Sequence, residues 1–290
     1  MHPKHARRQK IGLHFQVASG SDRGRVRTQN EDALALCEPS DRLQLEQFGR
    51  LYLLADGAGG HAAGEIASQL AVETIASTYY QQFTSGTEAV EQQPAQSEES
   101  SVQQEHAGLA LPRKRIIAAF RAAHTRIREC AAQRADYRGM VTTCLAAVVK
   151  ENHVLIAHLG DSRAYLVRSS PGFPPVITCL TTDHSMAAAL AQAGVLSVEQ
   201  ARSSPSRHIL VHALGEHAEH PVDPDIATEE LRAGDVLILC CDGLWGMLSE
   251  EQIARIVTNY PPQRACAHLI RQANEAGGKD NISLILLACS

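Results

Sequence analysis

The chain has 290 residues, 44% hydrophobic and 20% charged, with a formal net charge of −5 and an isoelectric point near 6.3. That length holds one large domain or two small ones and buries a sizeable core. The mildly acidic balance gives no electrostatic footprint for nucleic acid or an anionic membrane surface, so neither is expected as a partner.

The eight cysteines include no C-x-x-C pair and several sit inside apolar runs. They read as small buried hydrophobes in a reducing cytosol, not as a disulfide framework or a zinc site. Met1 to Lys10 is basic, but no apolar core of signal-peptide length follows it. No stretch approaches the roughly 20 apolar residues of a membrane span. The expectation is a soluble, cytoplasmic protein.

Residues 11 to 18 alternate loosely and predict a first strand, followed by a polar loop over 21 to 32 and a strand-like Ala33 to Cys37. Glu31 and Asp32 are adjacent, so in an extended chain they point to opposite sides and only one faces a given site. Leu51 to Ala55 is a short apolar run that ends at Asp56 and the turn glycines Gly57, Gly59 and Gly60, which fits a strand buried on both faces. A carboxylate at that lip needs a partner, because a nearly dry ion costs several kcal/mol unless it is compensated. Ala62 to Phe83 carries Ala67, Ala71, Ile75 and Tyr79 at helical spacing.

Residues 84 to 112 are rich in Gln, Glu and Ser and predict a mobile polar insertion. Helical periodicity resumes from Ile116 to Cys130. Strands are predicted over Val141 to Val149, His153 to Gly160 and Arg163 to Val167, the middle one stopping at Asp161. Residues 176 to 220 mix short helical and loop signals. Val236 to Cys241 is a further buried run stopped by Asp242, with helices predicted near 249 to 258 and 262 to 275. The closing strand, Ile282 to Cys289, follows Asp280. Clustered strands separated by helices predict an α+β fold, an antiparallel β-sandwich flanked by helices in four layers, α-β-β-α.

Four apolar strands thus carry an aspartate at one end: Asp56, Asp161, Asp242 and Asp280. Gathered together they would repel and raise one another's pKa unless cations were present. Oxygen ligands without clustered Cys or His select hard ions, Mg²⁺ or Mn²⁺. Two such ions about 3.5 to 4 Å apart share a water and make it a nucleophile at neutral pH, which suits phosphate ester hydrolysis.

The motifs resemble the metal-dependent protein phosphatases of the type 2C class, in that family's order, over residues 17 to 289. Ser21-Asp22-Arg23-Gly24 to Arg27 and Asn30-Glu31-Asp32 look like the opening motif. Asp56-Gly57-Ala58-Gly59-Gly60-His61 with Gly64-Glu65 is similar to the bacterial second motif. Thr142-Thr143, Gly160-Asp161-Ser162-Arg163, Thr182-Asp183-His184-Ser185, Asp242-Gly243-Leu244-Trp245 and Asp280-Asn281 complete the series.

The resemblance implies that Asp56 bridges two ions, with Asp242 and Asp280 on one and Glu31 plus the Gly57 carbonyl on the other. It implies that Asp32 holds metal-associated waters, that Arg27 binds the substrate phosphate, and that Asp161 with Asp242 serves a third ion. It further implies hydrolysis of phosphoserine and phosphothreonine by a metal-bridging water or hydroxide without a phosphoenzyme, and a flap over residues 183 to 214. The expected partners are phosphorylated proteins, among them a serine/threonine kinase or its substrates, and the expected form is a single-domain monomer.

Ala58, Val141 and Gly246 depart from the family pattern, and Gly246 replaces an acidic residue that some relatives use on the third metal. His61 is either a general acid for the leaving oxygen or a cap for the following helix. Arg163 is expected to pair with a carboxylate near Asp161 or with a backbone carbonyl, Trp245 to pack in the core, and the remaining histidines to be solvated. Two rivals are a silent regulator, disfavoured because Arg27, Glu31, Asp56, Asp242 and Asp280 are all present, and a hydrolase of small phosphoesters.

Overall fold

A computed structural model describes residues 13–58, 63–81, 107–170, 172–216 and 222–290. Two antiparallel sheets pack face to face within it. One runs in the order β1 (Phe15–Asp22), β11 (Ile282–Cys289), β10 (Val236–Cys240), β7 (Arg163–Arg168), β8 (Val176–Cys179). The other runs β2 (Asp32–Cys37), β3 (Arg50–Ala58), β5 (Cys144–Lys150), β6 (His153–Leu159), β9 (Asp225–Glu230), with the short β4 (Val141–Thr142) paired to the end of β3.

Alternation of side chains along each strand explains the continuous apolar runs. On β10, Leu237 and Leu239 enter the core between the sheets, whereas Val236, Ile238 and Cys240 face helices. On β3, Tyr52 joins the inter-sheet core while Leu51, Leu53 and Ala55 meet helices on the opposite face. The outer layers are α2 (Ala63–Tyr80) with α3 (Ala110–Gln133) on one side and α7 (Glu250–Asn259) with α8 (Pro262–Glu275) on the other. On α2 the buried Ala67, Ala71, Ile75 and Tyr79 recur every four residues and form one packing stripe. The α-β-β-α arrangement expected from the strand clusters is the one observed.

Several boundaries differ. The first strand continues through Ser21 and Asp22, because both pair with β11. The polar insertion ends earlier than residue 112: residues 82–106 lie outside the described residues, and 107–112 form a 3₁₀ turn and the start of α3. The run from Val141 to Val149 is broken at Thr143, whose amide bonds the Asp56 carbonyl at 2.9 Å. Helix α1 (Arg42–Phe48), the short β8 and the polar β9 have no counterpart among the expected elements. Residues 183–214 contain α4 (Met186–Gln192), α5 (Val198–Ser203) and a 3₁₀ turn, tied together by a bridge from Ser185 to Leu210.

Candidate metal centre

The fold brings the ends of β2, β3, β6, β10 and the turn before β11 to one rim of the sandwich. Asp56 is set rigidly: its amide donates to Thr143 Oγ1 at 3.1 Å, and its carbonyl accepts from Thr142 Oγ1 at 2.9 Å. Glu31 is held by its backbone, its amide donating to Asn281 Oδ1 at 2.8 Å and its carbonyl accepting from Ser68 Oγ at 2.6 Å. Asn281 also donates to the carbonyls of Arg23 and Gln29, both at 2.9 Å, so one amide side chain ties the loop carrying Arg27 and Glu31 to the turn carrying Asp280. Asp242 opens the short helix α6 (Asp242–Trp245), and a side chain on Gly243 would collide with the Asn281 carbonyl. Asp161 follows Gly160, whose φ of 104° favours glycine.

These elements enclose a cavity of about 430 Å³ lined by Arg27, Glu31, Asp56, Gly57, Asp161, Asp242 and Asp280, with Arg207, His208 and Lys279 also facing it. Asp32 does not line the cavity. It pairs in register with Asp56, and ligand atoms of Asp32, Asp56 and Cys241 lie within 4.8 Å of one another. At the rim, Arg27 donates to Asp280 Oδ2 at 2.7 Å and stands 4.0 Å from Glu31.

Burial pushes the Asp56 carboxyl well above the ordinary range, and the charges of Asp32, Asp242, Asp161 and Asp280 push it further. Burial also raises Asp32 to about 7, opposed by nearby Ser283 and Cys241 and reinforced by Asp242 and Asp280. Asp161 rises to about 7 through burial and then through Asp242. Glu31 is raised by burial, with Arg27 opposing. Such a cluster stays ionised only with compensating positive charge.

Divalent cations fit it. Both oxygens of Asp32 are buried with no hydrogen-bond partner, a cost of about 1–3 kcal/mol per orphaned group if nothing fills the space. A Cβ on Gly64 would lie 2.9 Å from the Glu31 carboxylate and 3.0 Å from the Gly57 carbonyl oxygen, so glycine leaves these two donors free to converge. Five carboxylates, Glu31, Asp56, Asp161, Asp242 and Asp280, dominate the lining, the oxygen donors that suit Mn²⁺ and Mg²⁺.

Of the expected site residues, Arg27, Glu31, Asp56, Gly57, Asp161, Asp242 and Asp280 line the cavity, Asp32 stands beside Asp56 without lining it, and His61 lies outside the described residues. Arg163 pairs with Asp183 in a two-pronged bond of 2.8 and 2.7 Å. Trp245 is partly buried, receives the Arg163 guanidinium at 3.7 Å over its ring, and donates to the Asp161 carbonyl at 3.0 Å. The expectation that the other histidines are solvated is wrong for several. His158 and His124 are buried in β6 and α3, whereas His208 stays half exposed with Nδ1 3.3 Å from Asp242 Oδ2. Arg207, His208 and Lys279 carry no sequence signal, because a short 3₁₀ turn and a turn before the last strand have no periodicity and reach the cavity only through the tertiary fold.

The carboxylate-rich cavity on a helix-flanked β-sandwich, taken with the chain's relatives, places it among the metal-dependent phosphatases, enzymes that work with Mn²⁺ or Mg²⁺. The family model described as protein phosphatase 2C matches residues 20–283, and the chain belongs to that family. It is 32% identical over 278 residues to the serine/threonine protein phosphatase PstP of Mycobacterium tuberculosis, covering 96% of this chain but 45% of that longer protein. It is also 32% identical over 268 residues to the serine/threonine phosphatase stp of Listeria innocua, covering 92% of this chain and 93% of the relative. Among solved structures, the S. agalactiae serine/threonine phosphatase superposes with a TM-score of 0.75 at 30% identity, covering 95% of this chain and 99% of that one. The catalytic domain of PstP in complex with two manganese ions superposes with a TM-score of 0.71 at 29% identity, covering 96% and 99%.

Proposed function

We propose that this chain removes phosphate from phosphoserine and phosphothreonine of proteins, and that Asp56 would serve two ions, Asp242 and Asp280 would hold one, and Glu31 with the Gly57 carbonyl would hold the other. Asp161 and Asp242 are the candidates for a third ion, a site weakened by Gly246. The observation that carries this reading is the convergence of these residues from distant elements into one cavity with Arg27 at its rim. When bound, Mn²⁺ or Mg²⁺ supplies Lewis acidity and a water acidic enough to attack phosphorus near neutral pH.

The chain's own groups do the rest. Arg27 presents a planar guanidinium that binds phosphate oxygens, and Asp280 now holds it at 2.7 Å. Asp32, whose two oxygens have no protein partner, would hold metal-associated waters from behind Asp56. The one hydroxyl lining the cavity among the described residues, Thr143 Oγ1, is engaged by the Asp56 amide and by Ser162. That engagement favours direct attack by water over a phosphoenzyme. His61 is the candidate donor of a proton to the leaving oxygen, with helix capping as its alternative role.

We further read the chain as one phosphatase domain whose segment 183–214 is a flap, since that segment brings Arg207 and His208 to the cavity. A monomer suffices, because one chain supplies the whole carboxylate set. A cytoplasmic site of action, opposite a serine/threonine kinase, accords with the free cysteines and with the absence, among the described residues, of a helix long and apolar enough to cross a membrane.

Turnover of a phosphothreonine peptide tests the reading. It is expected to require Mn²⁺ or Mg²⁺ and to be abolished by Asp56→Asn and by Asp242→Asn. Retained turnover in either variant refutes the metal assignment, and a higher kcat/KM for free phosphomonoesters than for phosphopeptides refutes the protein substrate.

A further inference from the structure

Away from the carboxylate cavity, His158 of β6, His184 at the base of the flap segment and Asp225 of β9 form a second cluster. Ligand atoms of the three lie within 4.8 Å of one another. His158 and Asp225 are register partners on adjacent strands, so their side chains share a face. The His184 ring stacks on His158 with centroids 4.8 Å apart and planes 21° apart, and its Nε2 is 3.3 Å from Asp225 Oδ2. His212 abuts the outer edge of His184 at 5.6 Å.

The protonation pattern follows from the partners. His158 Nε2 is 2.9 Å from the Thr182 carbonyl, which only accepts, so Nε2 carries the proton and Nδ1 a lone pair. His158 is 4% exposed, and its Nδ1 is buried without a partner. An imidazole whose far nitrogen donates to a backbone carbonyl while the near one keeps a free lone pair is the arrangement that metal-ligating histidines show. Burial lowers the His184 pKa, which favours its neutral, ligating form. The Asp225 side chain is 67% exposed, which gives an ion a way in and leaves room for water to complete its shell.

We propose that His158, His184 and Asp225 form a second divalent-metal site, selective for a borderline ion such as Zn²⁺ over the Mg²⁺ or Mn²⁺ of the catalytic centre. Two imidazoles with one carboxylate suit Zn²⁺ or Co²⁺, whereas a cavity dominated by carboxylates suits the harder ions. Coordination through His184 Nε2 moves its proton to Nδ1 and opens the 3.2 Å contact from the Gly160 amide, which limits the affinity. A filled site joins strands β6 and β9 to the residue that begins the flap segment, fixing the base of the segment that delivers His208 to Asp242.

The test uses the full chain with its catalytic centre saturated by Mg²⁺. Zn²⁺ is titrated by calorimetry, and Co²⁺ is followed by visible absorption. One Zn²⁺ per chain beyond the Mg²⁺-occupied centre is expected, with Co²⁺ bands typical of nitrogen ligands. Asp225→Ala changes an exposed residue and keeps the fold. It is expected to weaken this binding at least about tenfold, as is His184→Ala, while Asp242→Asn leaves it in place. Equal Zn²⁺ binding by wild type and Asp225→Ala overturns the proposal, and so does loss of the Zn²⁺ signal in Asp242→Asn, which would place the ion at the catalytic centre.

Discussion

Asp32 and Asp56 stand directly opposite each other across β2 and β3, two half-buried residues in register, with both Asp32 oxygens buried and without a hydrogen-bond partner. Their folded-state pKa values lie above the unfolded value, Asp32 at about 7 and Asp56 in the same direction. A carboxylate raised by folding contributes stability below its unfolded pKa and loses that contribution as pH rises through its folded pKa. The EDTA-treated protein is therefore expected to gain Tm as pH falls from about 8 to about 6. Stabilisation by Mn²⁺ runs the other way and grows with pH, because ion and protons compete for the same oxygens. Thermal melts with EDTA and with Mn²⁺ across this range check both trends. A flat metal-free profile would remove the electrostatic account of the centre.

Arg163 acts at a distance from the cavity. It grips Asp183 with both prongs and lies over Trp245, and Trp245 in turn holds the Asp161 carbonyl. Asp183 is little exposed, with 13% of its side-chain surface accessible. Removing one partner of such a pair typically costs about 3–5 kcal/mol, because the other is left buried and charged. Arg163→Ala is expected to fall near the lower end of that range in chemical denaturation and to reduce kcat through a displaced Asp161. Arg163→Lys keeps the charge but not the fork, and is expected to recover less than half of the lost stability. Wild-type stability in the lysine variant would show that charge alone matters here.

The apolar strands and the aspartates at their ends were legible because both signals are local: five or six hydrophobic residues stopped by Asp and Gly need no tertiary information. The helices on α2 and α8 were legible for the same reason, as 3.6-residue periodicity survives without context. β9 escaped notice because Asp225–Glu230 is a polar run whose strand state comes from pairing with β6. The pairing of Asp32 with Asp56 was equally hidden, since register across two strands is a tertiary fact. Alternation correctly implied that Glu31 and Asp32 diverge, and the structure shows Glu31 lining the cavity with Asp32 below it. His158 was misread as solvated because one imidazole in an otherwise apolar strand looks the same whether its partners are water or Thr182.

His208 reaches from the flap segment to Asp242, with Nδ1 3.3 Å from Oδ2, and this contact raises the His208 pKa. The protonated ring and a metal ion compete for the same carboxylate. About half of the His208 side chain is exposed, so the contact is worth no more than the roughly 0.2–1 kcal/mol of a surface pair. His208→Ala is accordingly expected to tighten Mn²⁺ binding by up to about fivefold, with the gain shrinking as pH rises and the wild-type ring deprotonates. Mn²⁺ titrations of both proteins at two pH values check this. Weaker Mn²⁺ binding in the variant would instead make His208 a supporting member of the centre.

Gly64 sets two physical tendencies against each other. It lies in the first turn of α2, where alanine is favoured over glycine by less than the ~1 kcal/mol of a helix interior. A Cβ there would stand 2.9 Å from the Glu31 carboxylate and 3.0 Å from the Gly57 carbonyl oxygen, the two donors proposed for one ion. The carboxylate is the freer of the two, since the Gly57 backbone is tied by its amide to the Glu31 carbonyl at 3.2 Å. Glu31 therefore yields, and the ion loses a ligand while the helix keeps its gain. Gly64→Ala is expected to leave the metal-free Tm unchanged or higher, to weaken Mn²⁺ binding at least about tenfold, and to lower kcat/KM at fixed Mn²⁺ in a way that added Mn²⁺ partly restores. Calorimetric Mn²⁺ titration alongside a metal-free melt separates the two effects. Unchanged Mn²⁺ affinity in this variant would mean that Glu31 does not hold the ion.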